Sequence, residues 1–209
     1  MITRFILVLA SAALAARGEP FDRIAVTVGK HVIAESEILR GVRCAAFLDE
    51  KPADFSPFAK RKSADRLVDE YLILEDAAAV RAILPGAVAV RALLNAMKAR
   101  YSSEAAFQAA LKRAQISEND LTEHLLGGLR MLRYSETRFR PESQVTEDEL
   151  RTFYESFTAG RAGSAPDFEA SRAQLELLLT SQRATEAMDR WLAMTRQERN
   201  IEYRDAVFQ

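Results

Sequence analysis

Two histidines and one cysteine are the side chains of this 209-residue sequence that titrate nearest to neutral pH. They are the first places to look for acid–base or nucleophilic chemistry. His31 falls at the turn of a short alternating stretch. His124 lies in a helical pattern, one residue before Leu125, and Asp120 stands four residues earlier, so a helix-surface hydrogen bond is the expected role of the ring. Neither histidine has a cysteine or a second histidine at ligand spacing, so no metal site and no cofactor are expected. Cys44, between Val42 and Ala45, reads as a small buried hydrophobe.

Carboxylates that flank a substrate can share general acid–base work. The acidic groups Asp69-Glu70, Glu75-Asp76 and Glu147-Asp148-Glu149 fall instead at helix starts or on polar helix faces, where capping and solvation account for them. Gly127-Gly128 opens no phosphate-binding pattern. The chain has no G-x-S-x-G, Walker or G-x-G-x-x-G motif. No catalytic residue is assigned, and the chain is read as a non-enzyme. Aromatic side chains offer a different chemistry, the reversible burial of apolar segments. Tyr71, Phe153 and Trp191 read as core. Phe55, Phe58 and Phe139 flank polar loops and are the candidates for binding a client.

The elements that would carry these residues are mostly helical. Eight glycines and six prolines are too few to punctuate many short strands. The formal charge of −1 gives no basic footprint, so a nucleic-acid partner is not expected. Arg4, the apolar run Phe5 to Leu14 and the small-x-small pattern Ala13-Leu14-Ala15 read as a signal peptide over 1–16. That run is shorter than the roughly 20 apolar residues that span a bilayer, and no later stretch is apolar enough, so no stable membrane insertion is expected.

The remainder, 17–209, reads as a single helical domain. Ile24, Val26 and Val28 alternate with Ala25 and Thr27, and Gly29-Lys30 interrupts before Val32-Ile33. A loop with glycine first suits a type II′ hairpin. Two strands alone are marginal, and Ile201 to Arg204 is the candidate third. Ser36 is read as the N-cap of a first helix carrying Ile38, Leu39 and Val42. A long helix over about 58–83 should bury Leu67, Tyr71, Leu74 and Ala78. Pro85-Gly86 breaks it before a helix over 88–101. Ser103-Glu104, Ser117 to Asp120 and the capping box Thr146 to Glu149 open three more. Residues 158–166, rich in Gly, Ala and Ser, are the internal linker, and a last helix runs over 167–199.

These features in this order resemble the N-terminal domain of SurA-type periplasmic chaperones, a family related in fold to the peptide-binding domain of trigger factor. Val26 to Ile38 looks like the family's hairpin and its I-x-x-S-E helix start. Leu67 to Ala77 is similar to its second helix. Phe107 to Leu125, with Ile116-Ser117, resembles its F-x-x-x-L and I-S-x-x-x-L segment. Val145 to Leu150 with Phe153-Tyr154 is similar to its V-T-x-x-E element, and Trp191 to Ile201 to its closing helix and strand. Gly29 stands where the family usually has Asn, and Gln115 where it usually has Gly. Members with prolyl isomerase activity carry a parvulin domain after the V-T-x-x-E helix, and only the 158–166 linker occupies that place here.

The resemblance implies a mainly α chaperone domain whose small N-terminal hairpin is completed by a C-terminal strand. It implies a periplasmic, ATP-independent, non-catalytic protein that binds unfolded envelope or outer-membrane proteins in an apolar groove. Two alternatives stand beside it: an envelope scaffold with one dedicated partner, and a peptidyl-prolyl isomerase. Whether the chain forms a homodimer is left open by the sequence.

Overall fold

The computed structural model describes residues 22–140, 145–159 and 167–209. The signal-peptide stretch 1–16 and most of the 158–166 linker lie outside the described residues. Within them, strands β1 (Ile24–Val28) and β2 (His31–Ala34) are followed by α1 (Glu35–Leu48), α2 (Pro57–Ala79), α3 (Ala87–Lys98) and α4 (Glu104–Arg113). Then come α5 (Glu118–Arg138), α6 (Glu147–Thr158), α7 (Phe168–Glu198) and strand β3 (Ile201–Tyr203). The fold is mainly helical, with one small antiparallel sheet of order β2-β1-β3. The C-terminal strand completes the N-terminal hairpin, with Val26 opposite Tyr203 and Val28 opposite Ile201. Gly29 takes a φ of 58° and Lys30 does not share the positive φ, the pattern that type II′ geometry asks of its first loop residue.

Local chemistry sets the helix ends. The Ser117 hydroxyl accepts from the Asp120 backbone N–H at 3.1 Å, and the Asp120 carboxylate accepts from the Ser117 N–H at 2.8 Å. Thr146 and Glu149 make the same reciprocal pair at the start of α6. Three helices end on non-glycine residues in the left-handed region, Glu50 after α1, Arg81 after α2 and Gln115 after α4, with φ of 56°, 55° and 55°. Gln115 is the position where a glycine would be the low-strain choice. The first helix departs from expectation. It begins at Glu35, with Ala34 at the N-cap, and Glu37 reaches back to accept from the Ala34 N–H at 2.7 Å. Ser36 instead ties this turn to the chain entering β1, its N–H donating to Asp22 at 3.1 Å.

Two apolar clusters form beneath these elements. One joins the sheet to α2, the end of α5 and the second half of α7, through Val26, Ile33, Val68, Leu72, Tyr134 and Leu192. The other joins the end of α1 to α3, α4 and the start of α5, through Cys44, Leu94, Phe107, Leu111 and Leu121. The α2 face differs from the one predicted. Ala64, Val68, Leu72, Ile73 and Ala77 are buried, while Leu67 and Tyr71 are only partly covered. Helix α2 packs against α1, α5, α7 and the sheet. A helix covered on several sides buries more than one stripe, so a single spacing selects only part of it. Helices α2 and α5 approach closely at Gly127, where an added Cβ would lie 2.3 Å from the Glu70 carboxylate.

Candidate functional site

The three candidate aromatic residues have three different surroundings. Phe55, in the loop between α1 and α2, is 41% exposed and lines a large cleft. Phe58, in the first turn of α2, is 78% exposed and stands outside that lining. Phe139, the C-cap of α5, is only 6% exposed. Its ring packs against Tyr134 and Trp191, with centroids 6.0 and 6.1 Å away. It therefore offers a client no surface in this arrangement. The polar residues after it gave it the appearance of a loop aromatic, but the end of α5 directs it into the core.

The cleft has a volume of about 740 Å³ and lies between the ends of α1, α3 and α4 and the loop that follows α1. Two of the three left-handed residues stand on its lining: Glu50 turns the chain out of α1, and Gln115 turns it out of α4. The Lys51 N–H donates to the Ala46 carbonyl at 2.9 Å, and that of Ile116 to Leu111 at 3.1 Å, so each turn is closed on its own helix. Glu50 and Arg100 pair across the cleft's edge.

Phe47 and Tyr101 supply aromatic surface beside Phe55. Both meet the fully buried Phe107 edge-on, at 6.4 and 5.3 Å, which fixes this wall to the second apolar cluster. Cations stand among the rings. The Arg43 guanidinium lies 5.4 Å from the Phe55 ring centre, and its Nε is buried without a hydrogen bond. Lys51, Arg100 and Arg113 complete the basic lining, with Glu50 the only acid in it.

The two histidines meet at a second, smaller cleft of about 270 Å³, which Cys44 also lines. His31 stacks on Tyr71, with ring centres 4.1 Å apart and planes 5° from parallel. His124 is half-buried rather than set on an open helix face. The expected hydrogen bond to Asp120 does not form; that carboxylate is held by Ser117 and lies 3.3 Å from Arg40. Burial and the nearby Arg66 guanidinium push His124 down to about 4. Arg66 donates to the His124 carbonyl at 2.7 Å. Burial, with the Asp120 carboxylate beside it, pushes the Cys44 thiol up to about 11. At neutral pH the imidazole is therefore neutral and the thiol protonated. A base tuned to about 4 is far from the range where proton transfer at pH 7 is efficient. Among the described residues no group of three His, Cys, Asp or Glu side chains is placed to hold a metal ion.

No protein-family model matches this chain, and no curated protein does. The assignment of the site therefore rests on the chain's own residues. Among the described residues, no helix is long and apolar enough to cross a membrane. Exposed apolar side chains do occur away from the cleft, at Val80, Ile83 and Val88 around the α2–α3 turn and at Leu177 and Leu178 on α7. Neither group lines the large cleft. The residues that the sequence did not single out are Phe47, Tyr101 and the four cations. Their one sequence signal is that each lies at or near a helix end, Arg43 and Phe47 in the last two turns of α1 and Arg113 at the last position of α4.

Proposed function

We propose that this chain is a SurA-type periplasmic chaperone module without an isomerase domain. It binds unfolded envelope or outer-membrane proteins, without ATP and without bond chemistry. The observation that carries the reading is the open cleft with Phe47, Phe55 and Tyr101 on its walls. A binder of unfolded chains needs apolar surface that accepts many sequences, and aromatic rings supply much contact area with few rotatable bonds. Capturing the unfolded state competes with aggregation, because it lowers the concentration of chains with exposed apolar segments. The order of elements supports the same reading, with hairpin, helices and closing strand in the sequence that the family resemblance implies.

The test is the aggregation of a β-barrel protein diluted from denaturant, followed by light scattering. The full chain should slow it in proportion to its concentration. Phe55→Ser should weaken that effect several-fold, and Phe58→Ser should leave it near the parent value, since Phe58 is exposed outside the cleft. A parent chain that leaves the aggregation rate unchanged would refute the proposal.

A further inference from the structure

We infer that the large cleft selects anionic segments, in which acidic side chains alternate with aromatic ones. This rests on the proposal that the cleft binds unfolded chains, and names which of them it takes. Its lining holds Arg43, Lys51, Arg100 and Arg113 against the single acid Glu50, in a chain whose overall charge is −1. Glu50 is already engaged by Arg100, and Lys51 has Asp49 at 3.8 Å. Arg43 and Arg113 have no carboxylate partner among the described residues.

A purely apolar client would cover these cations and leave them unpaired, and desolvating an unpaired charge is costly. A client carboxylate removes that cost. The guanidinium fork matches a carboxylate in two parallel hydrogen bonds. Meanwhile the aromatic walls, held by Phe107, receive the rings between the acids. Arg43 shows the two chemistries side by side, with its guanidinium over the Phe55 ring. Phosphate would also fit an arginine fork. A polynucleotide, however, needs a basic track extending along its backbone, and the near-neutral chain favours a local anionic segment.

The experiment uses the full chain and labelled peptides of alternating Phe and Asp, Phe and Asn, or Phe and Lys, with binding read by fluorescence anisotropy. The Asp peptide should bind about three- to fivefold tighter than the Asn peptide per carboxylate engaged, and the preference should shrink as salt is raised. Arg113 is exposed at the end of α4, so Arg113→Glu tests the charge without emptying a core. It should abolish the preference for Asp and improve binding of the Lys peptide. Arg91→Glu, on an exposed α3 position outside the cleft, should leave the ordering intact.

Equal affinity for Asp and Asn peptides, unaltered by Arg113→Glu, would overturn the inference while leaving the chaperone proposal standing. Displacement of the Asp peptide by a much tighter-binding oligothymidylate would overturn it too, since the cleft would then be reading phosphate. A chain that binds none of the peptides and suppresses no aggregation removes the proposed function and this inference together.

Discussion

His124 shows how far a side chain's chemistry depends on surroundings that its neighbours in sequence do not reveal. Read along the helix, it has Asp120 one turn away and looks like a solvated ring. In the fold, α2 places Arg66 against it and burial lowers its pKa from 6.5 to about 4. The folded value lies below the unfolded one, so as pH falls the unfolded chain takes up the proton first. The stabilisation from a neutral His124 is complete above its unfolded pKa and is lost as pH drops from 6.5 towards 4. Glu70, on the same cleft, acts in the opposite sense, because burial raises its pKa and the folded state protonates it first. Asp120, whose carboxyl is held below its ordinary value, also lines that cleft and contributes to the total pH profile. The comparison with His124→Gln isolates the one ring. Relative to that variant, the parent should lose on the order of 2 kcal/mol of unfolding free energy between pH 7.5 and pH 4, measured by urea denaturation. A difference that stays constant with pH would mean that the ring is solvated.

The helices were the most legible elements, because their signals are local. Ser103, Ser117, Thr146 and Asp167 each stand at an N-cap, and each accepts from a backbone N–H three residues on. What spacing did not reveal was which stripe of a helix would be covered. In α5, Leu125 and Leu132 fit the predicted apolar row, yet Leu126 is buried and Leu132 is 55% exposed. The row that packs is chosen by the neighbouring helices, and those come from distant segments. Ser36 departs from its expected cap role for a related reason. A serine before an acidic turn has the form of a cap, but the sheet pairing starts the helix two residues earlier, at Glu35 with Ala34 as its N-cap. The two serines should therefore respond differently. Ser117→Ala removes half of a reciprocal pair and should cost about 1 kcal/mol. Ser36→Ala removes only an exposed bond to Asp22 and should cost less than about 0.5 kcal/mol. Equal losses in denaturant midpoint would show that the Ser36 bond to Asp22 holds α1 as firmly as a cap does.

At the scale of the whole molecule, the site is the part the sequence revealed least. Phe55 could be singled out because it flanks a loop, but the cleft around it is assembled from three separated segments, the end of α1 with the loop after it and the ends of α3 and α4. No spacing within any one of them encodes the others. The joining of the chain's two ends was legible, because the hairpin needed a third strand and Ile201 to Arg204 offered one. That closure has a consequence for stability. Strand β3 pairs with β1 alone, and it is tied down by side chains as well as by the ladder. The Tyr203 hydroxyl donates to Asp65 at 2.6 Å, and the Arg61 guanidinium lies 3.4 Å from the Tyr203 ring centre. Lys60 donates to the Val207 carbonyl at 3.0 Å, and Val207 is buried in the first apolar cluster. Removing Ile201 to Gln209 would strip these contacts from α2 and leave β1 and β2 as an isolated pair of strands, which is marginal in water. The truncated chain should lose more than about 3 kcal/mol, from uncovering several large side chains at once. Hydrogen exchange should then show the β1 amides losing protection while those of α4, which rest on the second cluster, keep more of theirs. Full protection of β1 in the truncated chain would mean that α2 and α7 hold the hairpin without its third strand.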